Sequence, residues 1–267
     1  MKSYVGIDVR QDFCHATVQN KSGETMKCGE FENSPSGFDE FFDGIEHAEV
    51  AIEAGDAWQP VYDYLDENGF DVKLAHPYKT RIIAEVKIKT DARDSEALAD
   101  LVRAGLIPEV YVPREEEREL RRIVKRRGKL VMERTKYKNR IWAELRKRGI
   151  KADGRDLRTN SGKAWLRSLE IDAIEDYLEL IGTLNERILK LEGEIRENAE
   201  ENEEARLLMT IPGVSYYSAL TIIAEIATIE RFPNSERLCS YAGLVPSTRQ
   251  SGNMEKHGSI RGGRPLL

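Results

Sequence analysis

Three cysteines in 267 residues, Cys14, Cys28 and Cys239, are too few and too scattered for a disulfide framework. The four histidines, His15, His47, His76 and His257, show no spacing that would assemble a zinc site. No run of 18 apolar residues occurs, so no membrane-spanning helix is expected. Met1-Lys2-Ser3 leads straight into a strand-like segment and not into the apolar stretch of a signal peptide. The expectation is a cytoplasmic protein with reduced thiols and no membrane partner. A net charge of −6 does not by itself suggest a nucleic-acid binder. What the chain has in excess is charge of both signs, 33% of all residues, which points to long solvated helices.

That charge is strongly segregated. From residue 114 to 151 there are 16 Lys/Arg against 6 Asp/Glu, and from 170 to 204 there are 3 against 13. Both stretches have a helical pattern. Ile171, Ile174, Leu178, Ile181, Leu184, Ile188, Leu191 and Ile195 recur at steps of three and four, the seam of a coiled coil or helical hairpin. Two long antiparallel helices of opposite charge, joined near residues 154–162, are expected. The basic helix has two readings: it balances the acidic one, or it tracks phosphates. Arg121, Arg122, Lys125, Arg126, Arg127 and Lys129 fall within nine residues and cannot all face one acidic partner, which favours nucleic-acid backbone. Tyr137 and Trp142 are interleaved with further basic residues as possible stacking groups, although packing in the seam also accounts for Trp142.

Residues 1–112 read as α/β. Strands are expected at 4–9, 14–18, 26–31, 49–54 and 71–75, with a turn at Lys21-Ser22-Gly23-Glu24. An amphipathic helix opening at Ser36-Gly37 would turn Phe38, Phe41, Phe42 and Ile45 inward, and a second would span 59–68. Three meandering strands followed by alternating helices and strands describe a ribonuclease-H-like fold.

Acids stand at telling places in that framework. Asp8 ends the apolar strand Tyr4-Val5-Gly6-Ile7, and Glu53 ends Val50-Ala51-Ile52. Thr90 is a fitting N-cap for a helix in which Asp91 and Asp94, at i and i+3, share one face of the first turn. Acids near a helix N-terminus also complement its dipole, so this pair alone would not identify a site. Isolated acids in buried strands are costly unless paired or bound to metal, and four converging carboxylates need a cation. Hard oxygen ligands suit Mg²⁺ or Mn²⁺, the ions of two-metal phosphodiester cleavage.

Near the end, Ile211-Pro212-Gly213-Val214 between two helical stretches resembles a helix-hairpin-helix turn, with Gly213 placed to let turn amides meet a phosphate. An apolar helix follows at 218–229. From Asn253 onward the residues are rich in Gly, Lys and Arg and read as a mobile basic loop. Ser247, Ser251 and Ser259 are candidates for phosphate contact or nucleophilic attack.

Taken together, Val5-Gly6-Ile7-Asp8, Ala51-Ile52-Glu53-Ala54, Lys89-Thr90-Asp91-Ala92-Arg93-Asp94, Ile211-Pro212-Gly213-Val214 and Ala242-Gly243-Leu244-Val245-Pro246 with Gln250-Ser251-Gly252 resemble the DEDD transposases of the insertion sequence 110 family and the related pilin-gene invertases. The resemblance implies three parts: a RuvC-like domain over 1–113, a coiled-coil hairpin over 114–205 and a small α-helical transposase domain over 206–267. It implies Asp8, Glu53, Asp91 and Asp94 as ligands of Mg²⁺ or Mn²⁺ and Ser251 as the nucleophile of a covalent serine–DNA intermediate. It further implies donor and target DNA as substrates, a bridge RNA as guide, and a homodimer or homotetramer. Relatives continue into further helices, whereas this sequence stops sixteen residues after Ser251, so its last domain reads as truncated. Two alternatives stay open: a RuvC-type structure-specific endonuclease, which needs no serine, and a catalytically impaired nucleic-acid-binding remnant. An actin-like ATPase also opens on Gly-Ile-Asp, but Val9-Arg10-Gln11-Asp12 lacks the glycine its phosphate hairpin needs.

Overall fold

The computed structural model describes residues 2–84, 90–251 and 254–260, and the chain divides into two compact units, Met1–Val112 and Pro113–Leu267. In the first, strands β1 (Ser3–Val9), β2 (Phe13–Gln19), β3 (Thr25–Glu32), β4 (Ala48–Glu53) and β5 (Asp71–Ala75) form one mixed sheet in the order β3-β2-β1-β4-β5. The first three meander antiparallel, and β4 and β5 run parallel to β1. This mixed α/β arrangement is consistent with a ribonuclease-H-like domain.

The sheet's two faces are set by strand alternation. Val5, Ile7, Cys14, Ala16, Val18, Val50, Ile52, Val72 and Leu74 are buried on one face beneath helices α1 (Pro35–Phe42) and α2 (Trp58–Glu67). Phenylalanines fill that layer, with Phe31 stacked on Phe41 at 4.4 Å between ring centroids. Helix α1 starts at an N-cap, Ser34, whose hydroxyl accepts from the Gly37 amide. It ends at Phe42, before Ile45; Gly44, at φ +79°, takes the chain out of the helix, and Ile45 joins the core from the loop.

The opposite face is carpeted with small residues. Gly6, Ala51 and Ala75 lie beneath helix α4 (Asp91–Arg103), which buries Leu98 and Val102 against the alanines. Gly6 has a specific reason to be glycine. A Cβ there would stand 2.1 Å from the Ser95 carbonyl oxygen and 2.4 Å from the Ala99 nitrogen, so α4 rests directly on the β1 backbone. A helix that sequence reading did not anticipate, α3 (Pro77–Ala84), follows β5. Pro77 marks the end of the strand, but it also suits the first turn of a helix.

The second unit is built on α5 (Glu115–Lys147) and α7 (Asp172–Glu201), linked through the short α6 (Asn160–Arg167). At 1.5 Å per residue α5 is about 50 Å long. The two long helices run antiparallel: Arg127 meets Glu192, Arg134 meets Asn185, and Ile141 shares a core with Leu178. Ile174, Leu178, Ile181, Ile188, Leu191 and Ile195 are the buried seam. At the bend Ile141, Leu145, Leu166 and Ile174 close one core. At the other end Val124 and Ile195 share a second core with α8 (Glu203–Met209) and α9 (Tyr216–Ile226). The segments read as 114–205 and 206–267 therefore share packing within one unit.

After α10 (Ser235–Ala242), β6 (Pro246–Ser251) and β7 (Met254–Ile260) pair antiparallel. The stretch from Met254 to Ile260 is thus a strand and not the loop expected from its composition. Its polar residues misled that reading; Gly252-Asn253 between two short runs is a hairpin signal in its own right.

Candidate active site

Asp8 is the deepest of the four acids, 7% exposed near the C-terminal end of β1. It shares a sheet face with Gly6, so the helix that Gly6 admits also covers Asp8. Thr90 caps that helix, its hydroxyl accepting from the Arg93 amide, and fixes Asp91 in the first turn. Arg10 lies between the two carboxylates. Its Nη2 donates to Asp91 Oδ1 at 2.5 Å and lies 2.9 Å from Asp8 Oδ2. The second contact is one of charge alone: Asp8 Oδ2 is buried and receives no aligned hydrogen bond.

The electrostatics follow from this arrangement. Burial pushes the Asp8 carboxyl up to about 6, with Asp91 and Asp94 adding to the rise and Arg10 opposing it. Asp91 is held below the usual carboxylate range by its hydrogen bond from Arg10. Asp94 is therefore within electrostatic reach of Asp8. Glu53 ends β4 one residue beyond the Ile7–Ile52 pair, as Asp8 follows Ile7 in β1, with its own cross-strand partner at Ala75. The structure thus joins Asp8 and Asp91 through Arg10, sets Asp94 near them, and leaves Glu53 at the neighbouring strand end. Among the described residues no group of three or more His, Cys, Asp or Glu side chains stands close enough to hold a metal ion. The donor chemistry nevertheless fits a hard cation, because a buried carboxylate oxygen lacking an aligned donor is an available oxygen ligand.

Beside Asp8, its cross-strand partner His15 begins a buried polar chain. His15 Nδ1 is 2.9 Å from Ser95 Oγ, and that hydroxyl is 2.8 Å from Thr17 Oγ1 and donates to the Ala92 carbonyl. This chain ties the start of α4 to β2. Neither it nor Arg10 was singled out from the sequence. His15 and Thr17 alternate on the Asp8 face of β2, which was the available signal.

The basic run on α5 separates into two sets. Arg121 donates from Nε to the Ala224 carbonyl, Lys125 lies 3.4 Å from the buried Glu225 carboxylate, and Arg127 pairs with Glu192 at 2.5 Å while covering the Tyr217 ring. Arg122, Arg126 and Lys129 are exposed, Arg122 pairing with Glu119 on its own helix. Gly213, at φ +90°, shapes an exposed turn between α8 and α9, and Ser215 caps α9. Ser251 closes β6 opposite Met254. His257 pairs with Thr248, three positions along the ladder and about 10 Å away by strand rise. Lys89 and Gly252, part of the motifs read above, lie outside the described residues.

The sequence model of the DEDD transposases of the IS110 family matches residues 5–148, more than half of the chain. The chain belongs to the IS110 family of transposases. A second model, described as transposases of the IS116/IS110/IS902 family, matches residues 205–267. This IS110-family chain is 26% identical over 261 residues, 96% of its own length and 66% of the relative's, to a Sinorhizobium fredii protein named as a candidate transposase, y4qE. It is 28% identical over 182 residues to the transposase for insertion sequence element IS1111A of Coxiella burnetii, covering 62% of the chain and 48% of that relative. The pilin gene-inverting protein of Moraxella bovis is 27% identical over 282 residues, 97% of the chain and 77% of the relative. The chain spans about half to two thirds of the length of the first two, so what those whole proteins do is a proposal for it.

Proposed function

We propose that this chain cuts and rejoins DNA as the recombinase of an insertion sequence, with Asp8, Glu53, Asp91 and Asp94 as metal ligands and Ser251 as nucleophile. The observation that supports this most directly is the buried Asp8, contacted by Arg10 and faced by Asp91 on the capped first turn of α4. A protein interior keeps such a cluster of acids only when a cation or proton offsets it. A bound Mg²⁺ or Mn²⁺ would supply positive charge to the scissile phosphate and its leaving oxygen.

The chain's own groups then have defined tasks. Asp8 and Glu53, on neighbouring parallel strands, set the depth of the site, and Asp91 and Asp94 close it from the helix. With Asp8 engaged by such a cation, Arg10 would be available to pair with a phosphate oxygen. Ser251 Oγ bonds to phosphorus and loses its proton, the P–O bond to the departing strand breaks, and the leaving oxygen takes up a proton. One phosphodiester is exchanged for another, so attack by a new strand's hydroxyl rejoins DNA without an energy source and restores Ser251. Sequence choice would rest on a bridge RNA pairing with donor and target DNA, while a homodimer or homotetramer holds backbone and shape.

The test uses labelled DNA carrying the element's ends together with the RNA that co-purifies with the protein. Wild type should leave a protein-linked DNA band on a denaturing gel. Ser251→Ala should lose that band while still binding metal and DNA, and Asp8→Asn should lose cleavage altogether. An adduct that persists in Ser251→Ala would refute the serine assignment, and wild-type cleavage by Asp8→Asn would refute the acid site.

A further inference from the structure

The second unit holds a cavity of about 430 Å³ at the bend of the α5–α7 hairpin, remote in sequence from Asp8, Glu53, Asp91, Asp94 and Ser251. Its wall brings together Lys138 and Trp142 from α5, Arg155 and Arg158 from the connection, and Lys163 from α6. Four of the five charged residues on this wall are cations. Asp156 is the acid among its described residues, and Arg158 already engages it at 2.8 Å, holding its carboxyl down at about 2. Arg155 is spoken for as well, lying over the Trp165 ring at 5.0 Å. Lys138 is part-buried, and its ammonium is pushed below the ordinary lysine range by burial and by Arg134, Arg158 and Lys163 nearby. A protein that crowds like charges around a concave surface loses stability there unless something anionic enters.

Trp142 supplies the second half of the argument. It lines the same cavity yet remains 42% exposed, while the seam beside it is closed by Ile141 and Leu145. An indole half out of a basic hollow can place a π-face against a base while its neighbours hold the phosphate. The volume suits one nucleotide, and a base within a duplex stack cannot turn its face to a side chain.

We propose that this hollow binds a single-stranded nucleotide, its phosphate held by Lys138 and Lys163 and its base resting on Trp142. This inference rests on reading the chain as a nucleic-acid enzyme, but it concerns a site separate from the cleavage chemistry. Either an RNA guide or an unpaired DNA strand would present the required chemistry.

The experiment measures binding of the full chain to labelled twelve-residue oligouridylate, oligothymidylate and a duplex of equal length, by anisotropy across a salt series. Wild type should prefer the single strands, and the tighter of the two sugars identifies the natural source. Lys138→Gln with Lys163→Gln should lower affinity at least tenfold and flatten the log-salt slope by about 0.7, for the one phosphate no longer neutralised. The double variant's melting temperature should not fall, because like charges have been removed. Trp142→Leu should weaken binding about fivefold to a hundredfold, whereas Trp142→Phe should stay near wild type.

Single-strand affinity and salt slope unchanged in these variants would overturn the proposal. So would equal binding of the duplex, or complete displacement of the oligonucleotides by inorganic triphosphate at the same concentration, which would mark an anion site only. Cleavage by wild type and its loss in Asp8→Asn are read in a separate assay, so the catalytic reading can stand or fall independently.

Discussion

Asp8 links stability to acidity in a direction that can be worked out. Its carboxyl sits at about 6 in the folded chain against an ordinary 3.8, so the folded state holds its proton more tightly. The stabilisation is full below about pH 3.8 and is lost as pH rises through 6. In metal-free buffer, wild type should therefore lose stability relative to Asp8→Asn between about pH 4 and 6.5. Parallel thermal-melting profiles for the two proteins would contradict this. Asp91, lowered by Arg10, acts in the opposite sense: its contribution is present above the ordinary carboxylate range and is lost as pH falls, which is why the paired comparison is needed. At pH 7, Mg²⁺ at about 100 times its dissociation constant should stabilise wild type by about 2.7 kcal/mol and leave Asp8→Asn unmoved. Asp8 stood out in the sequence because a lone acid ends an apolar strand. Arg10 did not, because nothing in Val9-Arg10-Gln11-Asp12 says that its side chain turns back over the strand it has just left.

At the scale of elements, the packing of α4 on β1 decides whether the acids meet at all. Gly6→Ala would drive a methyl group into the Ser95 carbonyl, and helix and strand backbones cannot both hold their places. The expected cost is about 1–3 kcal/mol or more in denaturant melts, with strand cleavage falling further than stability does. On α5, the exposed set carries the nucleic-acid prediction. Arg122→Gln, Arg126→Gln and Lys129→Gln together should weaken DNA or RNA binding and reduce the log-salt slope by about 0.7–0.9 per phosphate released, with melting nearly unchanged. Arg121→Ala should instead destabilise the second unit, because it removes the donor to the α9 carbonyls and a cation 4.0 Å from the 1% exposed Glu225. A fall in nucleic-acid affinity without loss of stability in Arg121→Ala would reverse that division. Sequence periodicity had identified the long helices and all five strands of the main sheet, each strand to within one residue of its observed ends. Such elements carry their burial pattern in their own alternation. It could not divide the six basic residues, because the partners of Arg121 and Lys125 come from a helix a hundred positions later. Nor did it find α3, whose large apolar residues Tyr78, Ile82 and Ile83 are exposed while the polar Thr80 is buried.

For the molecule as a whole, the division at Val112 and Pro113 predicts that residues 1–112 expressed alone will unfold cooperatively, with the sheet and α4 intact by circular dichroism and amide protection. A molten, unprotected fragment would show that the boundary does not mark an independently folding unit. The first unit completes its sheet and covering helix from neighbouring stretches of chain, whereas the second does not. Arg121 waits for Ala224, 103 residues downstream, and Val124 waits for the same helix to bury it. At elongation rates of roughly 5–20 residues per second, that interval is about 5–20 s on the ribosome. During it, the emerging basic helix has its apolar stripe uncovered and its countercharges unmade. Chaperone traffic, and losses to premature release, should therefore concentrate on nascent chains that have passed α5 and not yet reached α9.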